Sequence, residues 1–385
     1  MVKQKTAIYP LSADPVHNGH MQTVRRTVES GFFDKLYVAI GVNPFKKTLF
    51  NLDERLFLTK KVVDSAGFGD KVEVVSFEGL LRNYARSQGI NSIVRSYRNG
   101  TDAEYESGLA SFNEEYGIKT WLLPAEKGNV EISSSMVRAV ASEFGFVQNL
   151  VHPVVKQALE EKLRGVSLVG VTGCMGAGKS TFCKGLVDYS KSHGDTEVSH
   201  IDFDKLVHTL YFEDTPLGLQ VKEEIKESFG EDVFAGKELN RRKLAGIVFG
   251  DKGKRDELSR ILQVPSMIKL EEELRKRKGF VLVDAAYFTE YNMLPLVNNN
   301  VILVSCNDDE RFKRVLERDG LTRSEVEAKT KAQHSEAEKR EIIKKAQAEK
   351  NHGFFYEVDS AKEIDYEKVL TELNNYFPLF KQEVK

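Results

Sequence analysis

Two groups of residues in this chain have the types and spacing for phosphate chemistry. The first is His17-Asn18-Gly19-His20, which follows the strand-like segment 6–10. A loop between a strand's carboxyl end and a helix N-terminus is a ready anion site, because free backbone N–H groups and the helix dipole favour phosphate. Gly19 allows close backbone approach, and imidazoles can donate to phosphate oxygens as charge builds in a phosphoryl transition state. The second is Gly173-Cys174-Met175-Gly176-Ala177-Gly178-Lys179-Ser180, after the apolar run 166–171. Its GxxxxGKS spacing fits a Walker A loop, with Lys179 reaching the β- and γ-phosphates and Ser180 binding Mg²⁺. The first suits attack at an α-phosphate and the second transfer of a γ-phosphoryl group.

Other residues collect around each group. Lys46 and Lys47 lie just past the second strand candidate, and Arg95 and Arg98 at and just past the fourth. The run Ile132-Ser133-Ser134-Ser135-Met136-Val137-Arg138 opens a helix after the fifth. In open α/β sheets ligands bind outside the carboxyl ends of strands, so these loops would share one edge. In the second half Asp202-Phe203-Asp204 follows a strand, and Asp284 ends another in a Walker B-like position. Each aspartate has a plain alternative as a helix cap. Arg314, Arg318 and Arg323 flank a long charged segment, 322–350, which reads either as a solvated helix or as a lid bringing arginines to the phosphates.

These groups need scaffolds, and the pattern supplies two. Strand candidates at 6–9, 36–41, 72–76, 92–95 and 119–123 alternate with helical segments, and the pattern restarts at 167–171, 198–202, 280–284 and 301–305. Alternation of this kind predicts βαβ units and parallel sheets, an α/β fold in two domains. A helix from residue 20 ends before Gly31, and Asn51 with Glu54 forms a capping box that opens 52–65. Ser133 or Ser134 caps a helix through Phe144. The segment 152–164 reads as a charged connecting helix, placing the boundary near residue 160: domains 1–160 and 161–385.

Composition narrows the setting. Fifty-six basic against 58 acidic residues argue against a general nucleic-acid or membrane surface. The three cysteines, Cys174, Cys183 and Cys306, form no CxxC pair, so neither a disulfide framework nor a zinc site is indicated. No run approaches a membrane span. The expectation is a soluble cytoplasmic protein working on small molecules.

Residues 5–150 resemble bacterial phosphopantetheine adenylyltransferase, through YPxSxDPxHNGH, NPFKKTLFNLDER, EGLLRNYAR, VRSYRNGTDAEYE and ISSSMVR, in order and nearly without gaps. The resemblance implies a Rossmann-like nucleotidyltransferase fold. It implies that Ser12 and His20 contact the ATP phosphates, with Ala13 and His17 in the same loop, and that His20 stabilises the transition state. Lys46, Leu81 and Arg95, with Ser12, would line the 4′-phosphopantetheine site. Ser96, Tyr97, Arg98, Glu106, Asn129, Val130, Glu131, Ile132, Ser133, Ser134 and Ser135 would hold ATP. The chain departs from the family in Leu11, Ala13 and Ser96.

Residues 166–376 resemble dephospho-CoA kinase, through VGVTGCMGAGKST, HIDFDKLVH, LNRRKLAGIVFGD and RFKRVLERDGLTRSEVEAKTKAQHSEAEK. This implies a P-loop kinase domain with a helical lid. Gly176, Ala177, Gly178, Lys179, Ser180 and Thr181 would hold the ATP phosphates, Asp204 would be the general base toward the ribose 3′-hydroxyl, and Arg318 a lid arginine. The departures are Val264 before Pro265, Asn240, the segment 286–290 and the turn 357–360. Together the resemblances imply the last two steps of coenzyme A synthesis, from 4′-phosphopantetheine and ATP through dephospho-CoA, with Mg²⁺. Two alternatives stay open for the second half: a kinase for another small acceptor, or a nucleotide-sensing module without turnover. The adenylyltransferase family often forms hexamers, which a fused domain could block, so oligomeric state stays open.

Overall fold

The computed structural model describes the backbone of residues 4–126, 128, 131–193, 196–236, 238–249, 251–319, 326, 330 and 333–380. Among the sequence candidates, Asn129, Val130, Arg323 and the side chain of Arg318 lie outside the described residues. So does most of 320–332, which includes the start of the charged segment 322–350. The chain forms two compact units. One comprises residues 1–164 with 344–353 and 378–385, the other 165–343 with 354–377.

The first unit is built on a parallel sheet of β1 (Thr6–Leu11), β2 (Lys35–Val42), β3 (Val72–Glu78), β4 (Ser92–Tyr97) and β5 (Lys119–Pro124), in the order β3-β2-β1-β4-β5. The order reverses between β1 and β4, which opens a crevice at the carboxyl ends of those two strands. β1 is buried on both faces through Ala7, Ile8 and Tyr9, as a central parallel strand should be. Its helices are α1 (Asn18–Glu29), α2 (Leu52–Ser65), α3 (Leu81–Ser87), α4 (Gly100–Glu114), α5 (Ser134–Ser142) and α6 (Pro153–Arg164). The capping box on α2 is present: Asn51 Oδ1 accepts from Glu54 N–H at 2.9 Å, and Glu54 Oε2 from Asn51 N–H at 2.8 Å.

Helix α6 differs from its expected role as a charged connector. It is packed into the first unit, with Val154, Val155, Ala158 and Leu159 in the core. Lys156, Glu160 and Arg164 are buried because they are paired. Lys156 Nζ reaches Glu160 Oε1 at 2.7 Å, and Arg164 donates to the carbonyls of Ala141 and Gly145. The first unit takes in the whole helix, to Arg164.

The second unit's sheet comprises β6 (Val166–Thr172), β7 (Val198–Asp202), β10 (Gly279–Asp284), β11 (Val301–Ser305) and β12 (Phe355–Asp359), in the order β12-β11-β6-β10-β7, all parallel. β6 is buried along its whole length. Helix α7 (Lys179–His193) follows the glycine-rich loop. A helical part, α8 (Phe203–Thr209), α9 (Pro216–Phe229), α10 (Arg241–Phe249) and α11 (Lys252–Leu274), has its own core around Leu210, Ile225, Leu244 and Ile261, with the short hairpin β8 (Phe234–Ala235) and β9 (Glu238–Leu239). Asn240 accepts from Lys243 N–H at 3.1 Å, so the departure from an aspartate keeps a capping acceptor. Helix α12 (Asp308–Asp319) precedes the helix Glu336–Lys350, which is not merely solvated: Lys339 and Ile343 are buried.

Candidate active sites

In the first unit the loop after β1 is held from three directions. Asp14 is buried, and its carboxylate accepts from the backbone N–H of Leu49 and of Phe50 and pairs with Arg138 at 3.1 Å. Arg138 also donates to the Asp14 carbonyl. Arg55 donates to the Ser12 carbonyl at 2.7 Å and to that of Gly41 at 3.2 Å. Ser134 Oγ donates to the Pro15 carbonyl at 2.9 Å. Asp14, Arg55 and Arg138 were not among the predicted site residues. All three lay inside quoted motifs, but the partners that make them a frame are 14 to 124 residues away, so their scaffolding role had no local signal.

This frame fixes both histidines. His17 is the N-cap of α1, and its backbone N–H donates to His20 Nδ1 at 3.3 Å. The bond leaves the His20 proton on Nε2, available to an incoming oxygen. The two rings stack with centroids 3.7 Å apart. Burial, then the nearby Arg98 charge, lowers the His17 pKa to about 4. Burial, then His17, holds His20 well below the usual histidine value. Both are neutral donors at pH 7.

Several expected residues meet here. Lys46 Nζ donates to Ser12 Oγ at 3.0 Å. Arg95 and Glu106 approach at 3.1 Å, off-axis, as an ion pair rather than a hydrogen bond. Burial raises the Glu106 pKa despite that arginine. Arg98 pairs with Asp102 at 2.9 Å. Ser96 shares a hydrogen bond with the buried Tyr9 phenol, and the Tyr97 carbonyl accepts from Ala125 N–H at 2.8 Å. Ser133 caps α5, Ser135 Oγ accepts from Arg138 at 3.3 Å, Ile132 is buried and Glu131 lies in the preceding turn. Ala13 is buried at a positive φ of 48°. Leu81 opens α3 after β3, two strands from β1.

In the second unit the glycines shape the phosphate loop. Gly173, Gly176 and Gly178 have φ of 153°, 84° and 86°. A Cβ on Gly173 would sit 2.2 Å from the Val304 carbonyl oxygen, and one on Gly176 2.6 Å from Val315 Cγ2. Ala177 is buried at the base of the loop, and its carbonyl accepts from Ser360 Oγ at 2.7 Å. Lys179 Nζ folds back onto the carbonyls of Gly173 and Cys174, at 3.1 and 3.3 Å. Ser180 Oγ donates to Asp284 Oδ2 at 2.7 Å, and Thr181 follows in the first turn of α7. The hydroxyl and carboxylate are hard oxygen donors beside a phosphate loop, a donor set that fits Mg²⁺.

The two aspartates after β7 separate. Asp202 caps α8, accepting from Lys205 N–H at 3.0 Å. Asp204 lies within the electrostatic reach of Lys179 and Asp284, and burial pushes its pKa up to about 6. Two arginines of α12 also meet the loop, one through a serine: Arg314 donates to Ser360 Oγ at 3.0 Å, and Arg311 to the Met175 carbonyl at 3.4 Å. Ser360 and Arg311 were missed as site residues, and the turn at 357–360, read as a departure, puts a hydroxyl on the loop. Arg318 is in α12 by its backbone.

The departing segment 286–290 is anchored too. Lys339, fully buried, pairs with Glu290 at 2.6 Å and donates to the Ala286 carbonyl at 2.9 Å. No helix among the described residues is long and apolar enough to cross a membrane.

Comparison with known proteins matches the two halves of the chain separately. A cytidylyltransferase-like family model matches residues 8–140, and a dephospho-CoA kinase family model matches residues 167–349. The phosphopantetheine adenylyltransferase of Aquifex aeolicus is 40% identical over 159 residues, 41% of this chain and 96% of that protein. That of Streptomyces coelicolor is 38% identical over 161 residues, 42% of this chain and 98% of that protein. A crystal structure from Thermus thermophilus, TT1252, aligns with 56% of this chain and 100% of its own at 27% identity and a TM-score of 0.44. Through its first half the chain belongs to the phosphopantetheine adenylyltransferases, and its second half carries a dephospho-CoA kinase domain.

Proposed function

We propose that this chain carries out the last two steps of coenzyme A synthesis. The first half would join ATP and 4′-phosphopantetheine into dephospho-CoA and pyrophosphate. The second would phosphorylate the ribose 3′-hydroxyl of dephospho-CoA. The carrying observation is the order of the two matches, 8–140 then 167–349, in which the first domain's product is the second's substrate. The functional halves meet near residue 160, and the setting is a reducing cytosol, consistent with three free, buried cysteines.

In the first reaction a phosphate oxygen of 4′-phosphopantetheine attacks the α-phosphorus in line, and pyrophosphate leaves. His20 Nε2–H donates to the oxygen that gains charge, and Lys46, seated on Ser12, adds a cation. Arg95 and Arg98 flank the β4 end of the crevice. The backbone around Ser133, Ser134 and Ser135 offers the N-terminal N–H groups of α5. No covalent intermediate forms, so positioning and charge stabilisation account for the rate.

In the second reaction Asp204 takes the proton of the 3′-hydroxyl as that oxygen attacks the γ-phosphorus, and ADP leaves. With a pKa of about 6 it is mostly ionised at neutral pH, yet basic enough to accept a proton. Lys179 turns from the loop carbonyls to the β- and γ-phosphates, and Arg314 and Arg318 lie on the helix beside them. Ser180 and Asp284 would hold Mg²⁺, which when bound neutralises phosphate charge.

The test is a product assay with 4′-phosphopantetheine, ATP and Mg²⁺. Wild type should yield CoA, and Lys179→Ala should stop at dephospho-CoA. His20→Ala should make CoA only when dephospho-CoA is supplied. Dephospho-CoA as the wild-type end product refutes the kinase assignment.

A further inference from the structure

Beneath the phosphate loop lies a cluster in which Asp284 has a part in the reactions above and its two neighbours have none. Cys183 Sγ, His200 Nε2 and a carboxylate oxygen of Asp284 all lie within 4.8 Å of one another. Cys183 is buried on α7, one turn after Ser180. His200 is on β7, and Asp284 ends β10, its partner strand. His200 Nε2 is buried without a hydrogen-bond partner and stands 3.6 Å from Asp284 Oδ2. A buried polar atom left unpaired beside a thiol and a carboxylate calls for a partner that all three can share.

We infer that Cys183, His200 and Asp284 form a binding site for a thiophilic divalent cation, zinc by its donor set, which competes with magnesium for Asp284. The inference rests on the kinase reading for its functional consequence, but not for the site itself. One sulfur, one imidazole nitrogen and one carboxylate oxygen are zinc donors, and three protein ligands leave a fourth position for water. Tetrahedral zinc needs its nitrogen and oxygen donors about 3.4 Å apart. The His200–Asp284 separation of 3.6 Å is nearly that. Magnesium, which demands six oxygens, gains nothing from the thiol or the imidazole.

The geometry also supplies an entry path. A cavity of about 640 Å³ opens between α7 and the edge strand β7, and His200 is in its wall with Lys184, Asp188, Ser199 and Arg277. A cation can therefore reach His200 from the α7–β7 side. On binding, the Cys183 thiol loses its proton to solvent, and the sulfur, the neutral His200 Nε2 and the Asp284 carboxylate each give an electron pair to the metal. With Asp284 engaged, the Ser180 hydroxyl loses its 2.7 Å partner and the magnesium position loses its carboxylate. Phosphoryl transfer stops while adenylyl transfer continues, and the chain delivers dephospho-CoA instead of CoA.

Cobalt(II) is the direct probe, because a thiolate ligand gives it an intense charge-transfer absorption. The full chain, reduced and metal-free, is titrated with Co²⁺, then with Zn²⁺ to displace it. Wild type should show the band; Cys183→Ser should lack it, and His200→Val should bind at least about tenfold more weakly. In parallel, Zn²⁺ is titrated into the phosphorylation of dephospho-CoA at fixed Mg²⁺ and ATP. Both variants should keep their zinc-free rate and need at least about tenfold more zinc for half-inhibition, and adenylyl transfer should be unaffected. Thermal melts of both variants exclude misfolding, and either folded variant suffices. No charge-transfer band in wild type, or an unchanged band in Cys183→Ser, overturns the site. Equal zinc sensitivity in all three proteins overturns the regulation. Absence of kinase activity without zinc removes the proposed second reaction, while the cobalt band still decides the site.

Discussion

Gly173→Ala tests whether the phosphate loop works because of where it sits. An added Cβ would lie 2.2 Å from the Val304 carbonyl oxygen, where ordinary contact begins at 3.4 Å. Val304 is a fully buried residue of β11, next to β6 in the sheet, and cannot retreat. The loop must therefore move by more than 1 Å. The φ of 153° adds roughly 1–3 kcal/mol of backbone strain for a residue with a side chain. A shift of this size at a positioning loop costs on the order of 10²-fold in rate. Gly178→Ala gives the contrast. It shares the backbone strain, at φ 86°, but its nearest atoms are the Arg314 Nη1 and Ser360 Oγ tips at 3.3 Å, which can swing aside, so its loss should be several-fold smaller. The assay is the rate of phosphate transfer to dephospho-CoA, with adenylyl transfer in the same protein as internal control. A Gly173→Ala rate within about threefold of wild type, or a larger loss from Gly178→Ala, would refute the reasoning.

Other perturbations give equally definite outcomes. Lys339→Met strands the buried Glu290 carboxylate and should cost about 3–5 kcal/mol, seen as a drop on the order of 10 °C in the second unit's melting temperature. His20→Ala should lower kcat for adenylyl transfer about 10²- to 10³-fold with little change in phosphorylation of supplied dephospho-CoA, measured by product chromatography. His17, His152 and His352 have pKa values lowered by burial from 6.5 to about 4, 4 and 3. Between those values and 6.5 the unfolded chain binds more protons. The first unit's urea midpoint should therefore be flat above pH 7 and fall as pH drops from 6.5 toward 4; a midpoint rising in that window contradicts the burial. Arg55→Ala removes the donor to the Ser12 and Gly41 carbonyls and should raise the KM for ATP in adenylyl transfer without moving the kinase rate, by steady-state kinetics.

Local features were legible, and long-range ones were not. The Asn51–Glu54 box was readable because its partners are three residues apart. The strands flanking both loops announced themselves as short apolar runs between turn residues. β12 was missed because only Val358 of its five residues is buried, as expected at a sheet edge. Helix α6 misled because pairing makes its charges burial-compatible, and Lys156–Glu160 at i,i+4 looks the same on a solvated helix. The two aspartates after β7 were equal in sequence. The resemblance singled out Asp204, and the fold puts Asp202 on a helix cap and Asp204 within electrostatic reach of Lys179. Ser360 reaches Ala177 across 183 residues, which no local pattern encodes.

The first unit's membership has a consequence for how the chain is made. Residues 344–353 and 378–385 belong to it. The Phe380 ring meets Phe57 edge-on with centroids 5.5 Å apart, Leu379 N–H donates to Glu161 at 2.8 Å, and the His352 imidazole bonds Gln157 at 2.9 Å. A ribosome releases residues 1–164 long before any of those partners exist. The nascent half must wait with Phe57 uncovered and without the His352 contact to Gln157, and it completes its packing only as residues 352 to 380 emerge. Maturation of the two activities is then tied to synthesis through residue 380, so a chain terminated before it forfeits part of the first fold as well as the second.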